Sequence, residues 1–304
     1  MLRRAAIPRF PFAVRVLRGQ AQVTFLPSAV TGAFFSAALF TAGWVPGLYA
    51  LLGTAVGTAT ARALGVGRDR LDAGLEGFNA CLVAAGCAVL LDGTRPVTAV
   101  VAAFGAVVVT VVTAALRTVL AGRGIPTFTT PFCAVATVIA LAAPGAHHPA
   151  VPPAGPATAT FTELWHAFFA NVGQIFFLPR WYAGALCLAG IWWADRRAGA
   201  AACLGSLTAI GTARLLGSPA AAVGQGLLGY NAVLTAMALY GVFLAADRWS
   251  LGYAVTGAVA ATGLTPAVTA FLAPYGGHAF TWPFVVTATV FTAAAQAFPR
   301  LRPR

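Results

Sequence analysis

The sequence predicts an all-α polytopic membrane protein built as two inverted-topology repeats of five spanning helices each. Three observations carry that prediction. Of the 304 residues, 59% are hydrophobic and only 9% charged; ten apolar segments approach the length of a bilayer crossing; and the chain repeats itself after half its length. A soluble domain carries about 25% charged residues, so a soluble globular protein is excluded. The mean hydropathy of +0.82 agrees.

A spanning helix needs about 20 mostly apolar residues. Segments 26–43, 46–64, 77–92, 97–121, 126–143, 181–195, 198–216, 229–246, 250–272 and 279–297 come near that length, several of them interrupted by Pro or Gly. The preceding stretch, MLRRAAIPRFPFAVRVLRG, begins as a signal peptide does but carries Arg and Pro throughout, leaving no continuous apolar region. It reads as a retained cytoplasmic segment. From a cytoplasmic N terminus, alternation places 62–76, 117–125, 196–197, 247–249 and the C terminus on the cytoplasmic side. All 19 basic residues are Arg; 16 fall on those stretches and three, Arg95, Arg180 and Arg214, outside. That asymmetry is the positive-inside rule. The net charge of +12 therefore reports topology in a cell (inner) membrane, and no nucleic-acid partner is expected. The linker 144–166, which opens with PGAHHPAVPPAGPATAT, contains no Arg. It reads as an extracytoplasmic connector without regular structure.

Sliding the chain against itself by 152 residues aligns three blocks without insertions. QVTFLP at 22–27 meets QIFFLP at 174–179, with Gly32 then meeting Gly184; GLEGFNACL at 74–82 meets GLLGYNAVL at 226–234; FTTPFCAVATV at 128–138 meets FTWPFVVTATV at 280–290. The chain holds three Asn, and two of them, Asn79 and Asn231, fall in register. The repeats are thus 1–152 and 153–304. Five spans, an odd number, make the second repeat cross the membrane in the opposite sense to the first, an architecture that places a solute site near the midplane between the halves.

The repeated polar residues, Gln22/Gln174, Asn79/Asn231, Thr129/Thr281 and Thr137/Thr289, are all uncharged. Such groups suit a neutral hydrogen-bonding solute, because Gln and Thr offer both donors and acceptors. Beside them lie matched apolar groups, Phe25/Phe177, Phe78/Tyr230 and Leu82/Leu234, between which a flat solute could slide. A buried polar group left unpaired costs about 1–3 kcal/mol, so fixed oxygens along the way keep a barrier low. Pro27, Pro131, Pro179 and Pro283 each remove a backbone donor, consistent with broken helices lining a cavity. In the GLxG[F/Y]N motif the glycines allow close backbone packing, and the Asn amide could satisfy a broken helix end.

These duplicated motifs, GLEGFNACL, GLLGYNAVL, FTTPF, FTWPF and the two Gln-x-x-Phe segments, resemble the signature of the urea transporter family over essentially the whole chain. The resemblance implies ten spanning helices plus two half-membrane pore helices, a homotrimer with one pore per protomer, and channel-like facilitated passage of urea. It implies that Gln22 and Gln174 meet the solute, that Thr129 and Thr281 line the constriction between them, and that Phe25, Phe177, Phe78, Tyr230, Leu82 and Leu234 form the apolar slot. One departure is the Leu-Pro after each repeated Phe, where relatives more often carry Asn or Asp; it bears on one pore mouth and on the solute.

Other readings of the same residues stand beside these. Gln22 and Gln174 could be satisfied amides that hold a helix break, Asn79 and Asn231 read more as helix-end partners than as solute contacts, and the Phe and Leu pairs could be ordinary core. Thr137 and Thr289 read as bonded back to their own helix. Glu76, facing Leu228 in the repeat, reads as a loop-end charge. A channel for a related small amide or other neutral solute is one alternative to urea. An ion-coupled carrier is another, yet Asp69, Asp72, Glu76, Asp92, Glu163, Asp195 and Asp247 all map to span ends or loops, whereas coupled carriers keep ionisable groups within the membrane. An ammonium channel would want His within a span, and His147, His148, His166 and His278 lie in linkers. No nucleophile–base pair points to an enzyme. Cys81, Cys87, Cys133, Cys187 and Cys203 lack metal spacing and read as small buried hydrophobes, so no cofactor or metal is expected.

Overall fold

The computed structural model describes residues 10–143 and 160–304. In the first half, α1 (Phe12–Ala21) is followed by α2 (Ala29–Ala42), α3 (Trp44–Ala63), the short α4 (Arg68–Asp72), α5 (Phe78–Leu90), α6 (Pro96–Leu120) and α7 (Thr130–Ala142). The second half repeats that order with α8 (Phe161–Gly173), α9 (Trp181–Ala194), α10 (Arg196–Leu215), the short α11 (Ala220–Gly224), α12 (Tyr230–Met237), α13 (Arg248–Leu272) and α14 (Trp282–Ala295). Among the described residues every named element is helical. Each of the ten apolar segments holds one of these helices.

Helix starts follow from local chemistry. Ser28 caps α2 by accepting from the Thr31 N–H, Asp195 caps α10, and Asp247 with Ser250 forms a reciprocal box at α13. Proline opens α6, α7 and α14, where its missing N–H would be unpaired in any case. Pro131 and Pro283 therefore begin helices, whereas the sequence pattern suggested broken ones. Pro27 and Pro179 do lie in non-helical breaks.

Lengths are less uniform than ten equal spans would be. Two helices, counted with a terminal 3₁₀ turn, are long and apolar enough to cross a bilayer alone: Pro96–Arg123 and Arg248–Tyr275. Their outward faces are apolar, with Val100, Phe104 and Phe271 each more than three-fifths exposed. That is the surface of a protein solvated by lipid. The α5, α7 and α14 helices have only 13, 13 and 14 residues. Two further apolar stretches are bent pairs, α1 with α2 at 79° and α8 with α9 at 75°.

The N-terminal stretch adds a helix to the ten segments, and one expectation about the linker needs correction. The N-terminal segment contains α1, whose last turn is buried against the rest of the protein. Within the linker, α8 begins at Phe161 under a capping box in which the Thr160 side chain accepts from the Glu163 N–H and the Glu163 carboxylate accepts from the Thr160 N–H. The unstructured reading fails for 160–166 because that reciprocal cap outweighs the loop-like composition; residues 144–159, with His147 and His148, lie outside the described part.

The two halves share one apolar core. Phe35 of α2 meets Phe176 across them with rings 5.0 Å apart, and the Thr31 hydroxyl donates to the Gly190 carbonyl at 2.8 Å. Within each half, α1 or α8 lies against the following helix at a glycine. A Cβ on Gly32 would come 1.9 Å from the Leu17 carbonyl oxygen, and one on Gly184 would come 1.9 Å from that of Phe169.

Candidate solute pathway

The site begins at the two helix breaks. After α1 and after α8 the chain makes one 3₁₀ turn starting at Gln22 or Gln174 and stops at a phenylalanine in the left-handed region, Phe25 at φ 65° and Phe177 at φ 63°. The Phe25 N–H donates to the Gln22 carbonyl and the Leu26 N–H to that of Ala21; Phe177 and Leu178 do the same with Gln174 and Gly173. This is the Schellman helix stop, with Phe where glycine is usual. It explains the Phe-Leu-Pro sequence: Leu26 and Leu178 are the buried residues after the stop, and the proline cannot continue the helix.

Each glutamine ties its break to the GLxG loop of the same half. The Gln22 amide nitrogen donates to the Ala73 carbonyl at 2.8 Å, and that of Gln174 donates to the Gln225 carbonyl at 2.9 Å. The amide nitrogens thus hold structure, and the amide oxygens remain as acceptors. Gly74 and Gly226, at φ 80° and 72°, allow these loops to pass close to the carbonyl carbons of Arg18 and Ala170.

Two more phenylalanines at positive φ, Phe128 at 46° and Phe280 at 42°, stand before α7 and α14. A non-glycine residue held there stores about 1–3 kcal/mol, and such residues gather at functional sites. Asn79 and Asn231 hold the two helix starts. Asn79 Oδ1 accepts from the Phe132 N–H, and its Nδ2 donates to Thr113; Asn231 Oδ1 accepts from the Phe284 N–H, and its Nδ2 donates to Thr265, all at 3.2–3.3 Å. Each Asn therefore satisfies a donor of a helix's first turn, as the helix-end reading expected.

Thr129 and Thr281, the N-caps of α7 and α14, meet. Their hydroxyl oxygens are 2.6 Å apart in one hydrogen bond, and both residues are at most 3% exposed. Cys133 Sγ lies 3.1 Å from the Thr281 oxygen, so this cysteine is a third polar group at the junction rather than only a small hydrophobe. The phenylalanines next to each threonine in sequence and three residues beyond it make matched ring contacts. Phe25 lies 6.1 Å from Phe284 and Phe177 6.2 Å from Phe132; Phe128 lies 5.3 Å from Phe284 and Phe280 5.4 Å from Phe132. Phe243 joins the Phe25 side only, at 5.7 Å.

Leu82 and Leu234 are fully buried in the core that these rings pack against, and Phe78 and Tyr230 are half-buried at its margin. The Tyr230 hydroxyl donates to the Phe280 carbonyl at 2.5 Å. Thr137 accepts from the Trp282 indole N–H at 3.1 Å, a partner in the other half, where the sequence pattern suggested a bond back to its own helix.

Sequence reasoning missed Phe128, Phe132, Phe280, Phe284 and Cys133, although four of them lie inside the repeated FTxPF blocks. It also misplaced Glu76. Its side chain is 1% exposed and is held by Arg70 at 2.6 Å and Arg117 at 3.2 Å. A buried carboxylate must be paired, and the partners sit 6 residues before and 41 residues after it.

Among known proteins, the sequence matches the family described as urea transporter over residues 13–296. It is 28% identical to "Urea transporter 1" of Capra hircus over 94% of this chain and 78% of that protein, and equally similar to the Ovis aries protein of that name. The Rattus norvegicus protein is 27% identical with the same coverage. With duplicated motifs, uncharged paired polar groups and lipid-facing helices all accounted for, the chain belongs to the urea transporter family: it is a multi-pass membrane protein that moves urea passively, and not an enzyme.

Proposed function

We propose that urea passes between the two helix breaks, through the Thr129–Thr281 junction. Gln22, Phe25, Phe78 and Leu82 form one side of the route and Gln174, Phe177, Tyr230 and Leu234 the other. The observation that carries this reading is the hydroxyl pair itself: two buried groups 152 residues apart, bonded to each other, whose sequence neighbours make matched aromatic contacts. Reciprocal contacts of this kind, in which residue i of one half meets j of the other and j meets i, are those of two bodies related by a twofold axis. With five spans per half, that axis lies in the membrane plane, so the halves are inverted repeats, 1–152 and 153–304, and α1 and α8 are the two half-membrane pore helices.

The chemistry is exchange of partners. A urea carbonyl accepts a hydrogen bond, and its N–H groups donate. At the junction a solute replaces the Thr129–Thr281 bond with one bond to each hydroxyl, so neither the protein nor the solute is left unpaired. The Gln22 and Gln174 amide oxygens accept from its N–H groups on either side, while the rings shed its remaining water. No charged group takes part, which accords with passive flux. The working unit is a homotrimer in the inner membrane, with both termini cytoplasmic.

The deciding measurement is urea flux into proteoliposomes. Thr129→Val and Thr281→Val keep the side-chain shape but remove a donor; one lost partner worth about 1.4 kcal/mol lowers flux about tenfold. Gln22→Leu and Gln174→Leu act in the same direction. Thr118→Val is the control, since that hydroxyl is exposed and bonded to its own helix at Ala114. Wild-type flux in both threonine variants, at normal protein levels, removes the junction from the route. Topology is tested separately in a background without native cysteines: an impermeant thiol reagent added outside labels Thr162→Cys and leaves Ala121→Cys unlabelled. The reverse pattern defeats the orientation.

A further inference from the structure

Charged side chains of the first half that the solute route does not use gather where α3 and α6 end and α5 begins. Glu76 Oε1 accepts from Arg70 Nε and from Arg117 Nη1. One carboxylate between two guanidiniums leaves a net charge of +1. The glutamate side chain is 1% exposed, but the two arginine side chains are 36% and 38% exposed, and each spends one N–H on it. Their remaining N–H groups border a cavity of about 360 Å³, whose other walls include Ala61, Leu64 and Ala114. Leu64 is 66% exposed, so the cavity opens beside exposed apolar surface.

The second half provides a natural control. There the equivalents of Arg70, Glu76 and Arg117 are Ala222, Leu228 and Thr269, and the same helices form around Ala167, Ala213 and Val223 with Leu228 packed against them. The fold therefore does not require the charges. Burying a carboxylate is unfavourable even when it is paired, and in the first half the three charged residues line an open cavity.

We infer that this cavity binds an anionic phosphate group, the headgroup of a phospholipid in the cytoplasmic leaflet. Guanidinium N–H pairs match phosphate oxygens in geometry and charge. Glu76 fixes both guanidinium planes in advance, so less side-chain freedom is lost when the ligand arrives. The net +1 suits the single negative charge of a phosphodiester, and the apolar walls accept the start of its acyl chains. A basic pocket between spanning helices is the form that such sites take. Free phosphate shares the headgroup chemistry but gains nothing from Leu64, Ala61 and Ala114.

Native mass spectrometry of the delipidated full chain tests this, with phosphatidylglycerol and phosphatidylcholine titrated in parallel and inorganic phosphate as a soluble competitor. Wild-type protein should retain one phosphatidylglycerol with about tenfold preference over phosphatidylcholine, and the preference should collapse in Arg117→Gln, which loses charge-assisted bonds. Gly67→Leu is the second variant: it changes no charge, its added Cβ meets nothing within 4 Å, and its side chain obstructs the cavity rim. It should weaken the lipid likewise while the protein stays monodisperse. Equal preference in wild type and both variants, or none in wild type, overturns the site. Full displacement by excess inorganic phosphate overturns the lipid assignment and makes the soluble anion its ligand.

Discussion

The two halves of this protein agree at their meeting point and disagree at their outer ends. Around the junction each half offers the same set: a glutamine bonded to the GLxG loop, an asparagine holding the start of α7 or α14, a threonine at the junction, and two phenylalanines at positive φ. Away from it, the first half carries Arg15 on Asp72 at 2.7 Å and the Glu76 trio, while the matching positions 167, 224, 222, 228 and 269 of the second half hold Ala, Gly, Ala, Leu and Thr. The difference separates two kinds of constraint. What both halves keep is what the helix breaks and the proposed two-sided route require, and what only one keeps lies outside that shared set.

The strongest way to break that comparison is to crowd a shared backbone approach. Gly32→Ala and Gly184→Ala each put a Cβ 1.9 Å from a carbonyl oxygen, where the neighbour is backbone and cannot rotate away. Overpacking of this kind costs about 3 kcal/mol or more. Both variants should fail to accumulate as folded protein, judged by size-exclusion profile and detergent melting, and they should fail alike. If one half tolerated the methyl group, the shared set would not be equally constrained.

Next in size are the asparagines. Asn79→Leu and Asn231→Leu preserve side-chain bulk but leave the Phe132 or Phe284 N–H buried without an acceptor, a loss of about 1–3 kcal/mol each. A lower melting temperature of similar size in the two variants is expected, with Asp at either site recovering part of it by restoring an acceptor oxygen. A marked difference between the halves would show that one helix start relies on other partners.

Much of this was legible in the sequence because it recurs in register. The ten apolar segments, the 152-residue repeat and the pairing of Gln22 with Gln174 or Thr129 with Thr281 needed only the text of the chain. What escaped is what depends on partners far away in sequence. Glu76 reads as a loop charge until Arg117, 41 residues on, closes over it. Cys133 reads as an apolar filler until Thr281, 148 residues away, comes within 3.1 Å. The left-handed phenylalanines were hidden for another reason: the residues expected at such angles are Gly and Asn, and only the Leu-Pro or Thr-x-Pro that follows marks the stop.

The finest test of the comparison is Tyr230→Phe, which gives the second half the residue that the first half has at Phe78. The tyrosine hydroxyl donates to the carbonyl of Phe280, one of the left-handed residues. Phe128, its counterpart, receives no such hydroxyl, because position 78 is Phe. A neutral hydrogen bond contributes about 0.5–1.5 kcal/mol, and the first half shows that the turn forms without one. The variant should therefore melt only slightly lower and keep urea flux within about twofold of wild type, since a barrier change below about 0.4 kcal/mol is all that such a ratio requires. A loss of flux comparable to that of Thr281→Val, with the fold intact, would mean that the hydroxyl itself meets the solute. The two sides of the route would then be chemically unequal at the very position where the repeat pairs Phe78 with Tyr230.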